Sequence, residues 1–201
     1  MTDRWHRWIW LLLAVPGTPA VAHDASSGLR GLFAGVGHSF STPSQVLCLL
    51  ALGLLAGGLV RSGWFPWLGG ASAAAFLAGL AAGHAGLPVD APLFAAAFLA
   101  AALAALLPGR LPSVAMGLLA AGGFLLGISA LPDSGTLVGK AVTIAGSVLG
   151  AGLGLVCIAA VADAITARFA APWVAMGLRV IAAWLGAIAL VMLALTVAPA
   201  G

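Results

Sequence analysis

The chain is dominated by six apolar runs separated by short linkers that contain proline, glycine, arginine or aspartate. The runs predict transmembrane helices over about 43–60, 64–83, 91–107, 113–131, 137–161 and 173–197. Only 6% of the residues are charged, whereas a soluble domain carries about 25%. Because so few polar groups could not cover a water-exposed surface, the sequence predicts an all-α membrane protein folded as a compact six-helix bundle.

The first 22 residues have the layout of a secretory signal peptide. Arg4 and Arg7 precede a short apolar core, and a small-residue triplet ends at Ala22. We expect cleavage after Ala22, which leaves residues 23–201 as the mature six-helix domain. The alternative is an uncleaved anchor that lies at the membrane surface.

Arginine positions predict the orientation of the bundle. With the mature N-terminus outside, the linkers that carry Arg61, Arg110 and Arg168 all face the cytoplasm, as the positive-inside rule requires. Asp163 lies in the same region and is expected to pair with Arg168. The sequence therefore predicts a multi-pass protein of the bacterial inner membrane, with both mature termini in the periplasm.

The first predicted span begins with a helix-start pattern. Thr42 as the N-cap, Pro43 at the first helical position and Gln45 three residues after the cap form a capping box. The preceding stretch, 26–40, is too short and too rich in glycine to span. We expect it to lie at the membrane surface or to enter the bilayer as a half-helix.

Small residues recur at four-residue spacing within three of the predicted spans. Such stripes allow helix backbones to approach closely, and we interpret them as packing faces rather than as the lining of a path. They are Gly53 and Gly57, Gly123 and Gly127, and Gly146, Gly150 and Gly154.

Catalytic motifs are absent from the sequence. It has no nucleophile-and-base pair, phosphate-binding loop or metalloprotease motif. Five acidic residues offer little for hydrolysis, and a rhomboid-like protease would need a histidine in the later spans. We therefore expect no enzymatic activity, no permanently bound cofactor and no nucleic-acid partner.

Histidine and aspartate residues on the predicted outer side are candidate metal ligands. Neutral imidazole suits zinc, copper, iron and nickel. His38 lies where the first span begins and could be a ligand, a hydrogen-bonded structural residue or a solvated one. Further ligands could come from His23, Asp24, His84 and Asp90, although His23 and Asp24 could simply flank the cleavage site.

Polar residues within the fifth predicted span are candidates for a pathway, because burying them in a membrane is costly. Lys140, Thr143 and Ser147 are spaced three and four residues apart, on one helical face. Lys140 could form a charged gate at the outer mouth of the bundle. Alternatively, it could pair with Asp133 or extend to the lipid headgroups.

The sequence resembles the HupE/UreJ family of bacterial membrane proteins. The resemblance rests on His23 and Asp24 after the signal and on the stretch from Gly31 to Gly58. His38 matches the first histidine of the family's motif His-Pro-x-x-Gly-x-Asp-His, whose other positions differ here. The family's histidine-rich segment in the fourth span is replaced by apolar residues and Ser129.

The resemblance implies secondary uptake of a divalent transition metal, nickel or cobalt, as in permeases linked to hydrogenase and urease maturation. The metal would be the transported substrate, and the protein would lie in the lipid bilayer. The alternative is a non-transporting membrane subunit that has lost metal transport and that binds or assembles a partner protein through its glycine faces. A second copy of the chain is another candidate partner.

Overall fold

The computed structural model describes residues 28–83, 87–132, 134–169 and 171–198. All the regular secondary structure in these ranges is helical. The predicted signal peptide, 1–22, lies outside them. Within these ranges there are seven α-helices, and a 3-10 turn at Val60–Ser62 follows the second. The helices are α1 Leu29–Ser41, α2 Pro43–Gly57, α3 Phe65–Ala82, α4 Asp90–Leu106, α5 Pro112–Ser129, α6 Leu137–Arg168 and α7 Pro172–Val197.

Several of these helices have the length and composition of membrane spans. Within the described ranges, α3, α5, α6 and α7 meet both conditions, and the bent pair of α1 and α2 adds a fifth candidate. Helix α4 is apolar but shorter, with 17 residues. The architecture is consistent with a multi-pass helical membrane protein. Helices α2 to α7 begin close to the predicted starts, but α6 continues to Arg168 instead of ending near residue 161.

A 78° bend separates α1 from α2. Pro43 is at the start of α2, and Thr42 before it is extended, with φ −97° and ψ 121°. A residue that precedes proline is disfavoured from the helical conformation, which explains the break. Thr42 is the N-cap as predicted, but its side chain makes no capping hydrogen bond, and Gln45 lies against His38 instead. The predicted capping box is therefore wrong.

The two shortest predicted spans, α2 and α4, lie at the centre of the bundle. Ten of the 15 residues of α2 are buried, and the fully buried Leu52 and Leu93 belong to these two helices. By contrast, only 17% of the apolar window of α7 is buried. The long helices therefore expose apolar surface at the periphery, as helices that face lipid do.

Glycines bring two helix pairs into backbone contact. A Cβ on Gly35 of α1 would clash with the Thr143 carbonyl oxygen of α6. Likewise, a Cβ on Gly127 of α5 would clash with the Phe76 carbonyl oxygen of α3. The predicted stripes at Gly123 and Gly127 and at Gly146 to Gly154 thus pack against neighbouring helices within the chain.

Candidate functional site

One end of each of four helices lies at the same side of the bundle, which we call the histidine end. Here α1 and α5 end, and α2 and α4 begin. His38 comes from the last turn of α1, Gln45 from the first turn of α2 and Asp90 from the start of α4. The 78° bend at Thr42 brings the first turn of α2 against the last turn of α1, so that His38 and Gln45 come close together.

His38 faces two polar groups. Its Nε2 lies 3.2 Å from the carbonyl oxygen of Ser129 and 3.4 Å from Nε2 of Gln45. In one tautomer the ring N–H donates to the carbonyl; in the other, the ring nitrogen accepts from the Gln45 amide. One nitrogen cannot do both with the amide in this orientation; after a 180° rotation of the amide, the Gln45 oxygen could share the ring N–H with the Ser129 carbonyl.

That arrangement can hold a cation. The lone pair of His38 Nε2, the Ser129 carbonyl oxygen and, after a 180° rotation of its amide, the Gln45 side-chain oxygen are all electron-pair donors. Imidazole nitrogen with oxygen ligands suits divalent transition metals.

Asp90 is connected to the residue beside Gln45. The Ser44 hydroxyl donates to Oδ1 of Asp90 over 2.5 Å, and Ser44 itself is 1% exposed. Asp90 is exposed and lies at the N-terminus of α4, where the helix dipole favours a negative charge. The structure thus places an imidazole and a carboxylate next to consecutive residues of α2.

The other predicted ligands, His23, Asp24 and His84, lie outside the described residues. Within the described ranges, no three histidine, cysteine, aspartate or glutamate side chains come together as a metal site. His38 and Asp90 are therefore the two predicted ligands that the structure brings to one end of the bundle.

The predicted pathway residues lie along the contact between α1 and α6. The buried Ser147 hydroxyl is 3.3 Å from the Gly35 carbonyl oxygen and 3.2 Å from that of Thr143. Ser39 of α1 donates to the Ser147 carbonyl oxygen. Ser147 thus links α1 and α6 through hydrogen bonds. The Thr143 hydroxyl is buried without a hydrogen-bond partner in the described part of the chain.

Lys140 lies one turn before Thr143 on α6 and is half-buried. It forms no ion pair with any residue that the structure describes. Its predicted partner, Asp133, lies outside these residues. Lys140 stays a candidate gate residue.

Sequence reasoning missed three polar groups. The sequence pattern predicts Gln45 as part of a helix cap, and the Ser129 carbonyl contributes through its backbone, which no side-chain pattern reveals. Ser39 could have been found, because Gly31, Gly35 and Ser39 follow each other at four-residue spacing and form the buried face of α1.

The opposite side of the bundle, the arginine end, carries Arg61, Arg110, Arg168 and Arg179. Nε of Arg61 donates to Oδ1 of Asp163 over 2.8 Å, so the predicted Asp163–Arg168 pair is wrong. Because α6 continues through both residues, their side chains point about 140° apart around its axis. Nε of Arg179 donates to the Ala105 carbonyl oxygen over 2.6 Å.

Comparisons of the chain with protein-family models, with curated proteins and with solved structures find no match. The helices and the polar group at the bend are therefore the basis for a functional proposal. They define a helical protein with several membrane-length segments and a polar, imidazole-bearing group at one end of its central helix.

Proposed function

We propose that the chain is a six-span permease of the bacterial inner membrane, similar to HupE/UreJ proteins, that takes up nickel or cobalt. The observation that carries the proposal is the group formed by His38, Gln45 and the Ser129 carbonyl at the bend between α1 and α2. These three lie at the start of the most central helix, where a cation would enter the bundle.

In this proposal His38 supplies the nitrogen ligand, and Gln45 and Ser129 supply oxygens. Asp90 adds a negative charge at the same end and attracts the cation before it reaches the bend. If the chain is cleaved after Ala22, His23 and Asp24 supply further groups from the new N-terminus, and His84 another from the loop before α4. Capture would thus precede transfer into the bundle.

The six-span count includes α2 and α4. With 15 and 17 residues, they are about 22 and 26 Å long, which is less than the hydrocarbon core of about 30 Å. Helix α2 is largely enclosed by other helices, so it does not have to match the lipid thickness. Helix α4 packs against α2, α5 and α7 and exposes Leu99. Short central helices shorten the distance that a cation must travel through the protein, which supports a transport role.

The arginine end supports the proposed orientation. Arg61, Arg110, Arg168 and Arg179 come from the linkers and helix ends opposite His38, as the positive-inside rule expects of a cytoplasmic side. His38 and Asp90 would then face the periplasm. A metal would meet them from outside the cell.

A non-transporting subunit is the weaker proposal. The predicted glycine stripes pack within the chain, as Gly53, Gly127 and Gly146 show, so a partner would have to bind at other glycines, such as Gly117 and Gly177, which have open space around them.

Uptake of radiolabelled nickel and cobalt tests the proposal in cells that express the wild type, His38→Ala, Thr196→Ala or an empty vector. Thr196 is an exposed residue near the end of α7 whose hydroxyl bonds to its own helix, so it serves as the control. We expect uptake above the vector that falls several-fold in His38→Ala and is unchanged in Thr196→Ala. Equal accumulation in all four, with each protein confirmed in the membrane, would overturn the proposal.

A further inference from the structure

The arginine end contains a partly open cavity of about 110 Å³ between α2, α4, α6 and α7. Its walls are mainly aliphatic, and one guanidinium lies at its edge. The lining includes Leu54, Pro108, Ala162, Thr166, Leu178 and Arg179.

Arg179 is held at this cavity by the end of α4. Its Nε donates to the carbonyl oxygen of Ala105, one of the last carbonyls of that helix, where the helix dipole favours a cation. The bond uses one nitrogen of the guanidinium. Its two terminal nitrogens have no hydrogen-bond acceptor among the described residues, so they are available to an anion.

Two further arginines lie at the same end of the bundle, outside the lining of the cavity. Arg110 belongs to the turn that begins at the lining residue Pro108, and Arg168 ends α6, about 160° around the helix axis from the lining residue Thr166. Both are exposed. The backbone of Gly109 contacts that of Gly58, which also lines the cavity, and this contact holds the Arg110 loop at its rim.

Most of the positive charge at the arginine end has no carboxylate counter-charge among the described residues. In the described ranges, Asp163 is the acidic residue of the arginine end, and it is paired with Arg61. Arg110, Arg168 and Arg179 therefore have no carboxylate partner among the described residues. A guanidinium at the edge of an apolar cavity, with two more at the same end of the bundle, fits a ligand with an anionic head and a hydrocarbon tail.

We propose that this cavity binds an anionic phospholipid. The phosphate lies against Arg179, with Arg110 and Arg168 adding charge, and part of an acyl chain fills the space between α2 and α7. Aliphatic walls select a lipid over free phosphate, because a small hydrated anion gains nothing from them. The inference requires that the chain lie in a bilayer, but it does not depend on metal transport.

The test uses the purified full-length protein in detergent. Lipid binding is measured by native mass spectrometry after titration with phosphatidylglycerol, phosphatidylcholine, glycerol phosphate or inorganic phosphate. We expect phosphatidylglycerol to bind at least fivefold more tightly than phosphatidylcholine, and the two soluble phosphates to show no saturable binding. Equal binding of both lipids would overturn the proposal, as would tight binding of a soluble phosphate.

Variants then locate the site. Arg179→Gln should weaken phosphatidylglycerol binding at least fivefold, whereas Arg30→Gln, which removes an exposed arginine from α1, should leave it unchanged. If Arg179→Gln does not fold, the double variant Arg110→Gln/Arg168→Gln should weaken binding by at least threefold. Equal binding by the arginine-end variant and Arg30→Gln would contradict the assignment.

Discussion

Nε2 of Gln45 lies 3.4 Å from Nε2 of His38 across the bend between α1 and α2. The two residues are only seven positions apart, yet they belong to helices that diverge by 78°. Pro43 creates this geometry by interrupting the helix just after His38. An uninterrupted helix would not place the Gln45 amide against the imidazole in this way, so the bend itself builds the polar group.

Replacing Gln45 should tighten metal binding if the new side chain is negatively charged and weaken it if the new side chain is apolar. Gln45→Glu places a carboxylate beside His38 and should tighten nickel binding by roughly fivefold to tenfold, which corresponds to about 1.0–1.4 kcal/mol. Gln45→Leu removes the oxygen ligand and should weaken binding to a similar extent. Calorimetric titration of the purified protein with nickel measures both. Identical affinities in the two variants would exclude Gln45 from the site.

Asp90 can be tested by separating its charge from its hydrogen bond. Asp90→Asn keeps an acceptor for Ser44 but removes the negative charge, so we expect slower nickel uptake with little change in thermal stability. Ser44→Ala removes the donor and should cost about 0.5–1.5 kcal/mol of stability, while the charge stays in place. If Asp90→Asn transports at the wild-type rate, Asp90 does not help to capture the metal.

The contact between α1 and α6 should not tolerate a methyl group at Gly35. Gly35→Ala would push against the Thr143 carbonyl and should destabilise the fold by about 1–3 kcal/mol, as overpacking does. Gly37 has open space around it and is the matched control on the same helix. Gly37→Ala should be neutral or stabilising by up to about 1 kcal/mol, because alanine favours helix. Thermal unfolding in detergent compares the two, and equal midpoints would contradict the close contact.

The ion pair at the arginine end should contribute little to stability. The Arg61 side chain is 58% exposed, and exposed pairs are typically worth about 0–1 kcal/mol. A double-mutant cycle with Arg61→Gln and Asp163→Asn should therefore give a coupling free energy below about 1 kcal/mol. A larger value would mean that the pair is shielded from water in the membrane-embedded protein.

Much of the helical architecture could be predicted from the sequence, because the residues that begin and end a helix are recognised locally. Pro43, Pro112 and Pro172 lie in the first turns of α2, α5 and α7, where the missing N–H costs nothing. The apolar runs between such positions give the helices their approximate ends. Whether each helix crosses the bilayer is a separate question, because α2 and α4 are short and central.

The course of α6 was harder to predict. Residues 162–168 contain Asp163 and Arg168, and their polarity suggested a linker, but the helix continues through them. The true partner of Asp163 is Arg61, 102 positions away in the chain. Such a pairing depends on how α2 and α6 pack, and no local pattern encodes it.

The candidate site could be predicted only in part. His38 and Asp90 are ionisable groups beside apolar runs, which makes them candidates from the sequence alone, and the structure brings them to one end of the bundle. The contributions of Gln45 and Ser129 depend on the bend at Thr42 and on where α5 ends against α1. Both are features of the tertiary structure, which the residue types alone do not reveal.

The most direct test of the metal-permease proposal is nickel entry into liposomes that contain only the purified protein. We predict entry into wild-type liposomes that saturates with nickel concentration and falls at least fivefold in His38→Ala, with equal amounts of folded protein incorporated. Entry at the protein-free rate in wild-type liposomes, or an equal rate in the wild type and His38→Ala, would contradict a nickel permease that works through His38.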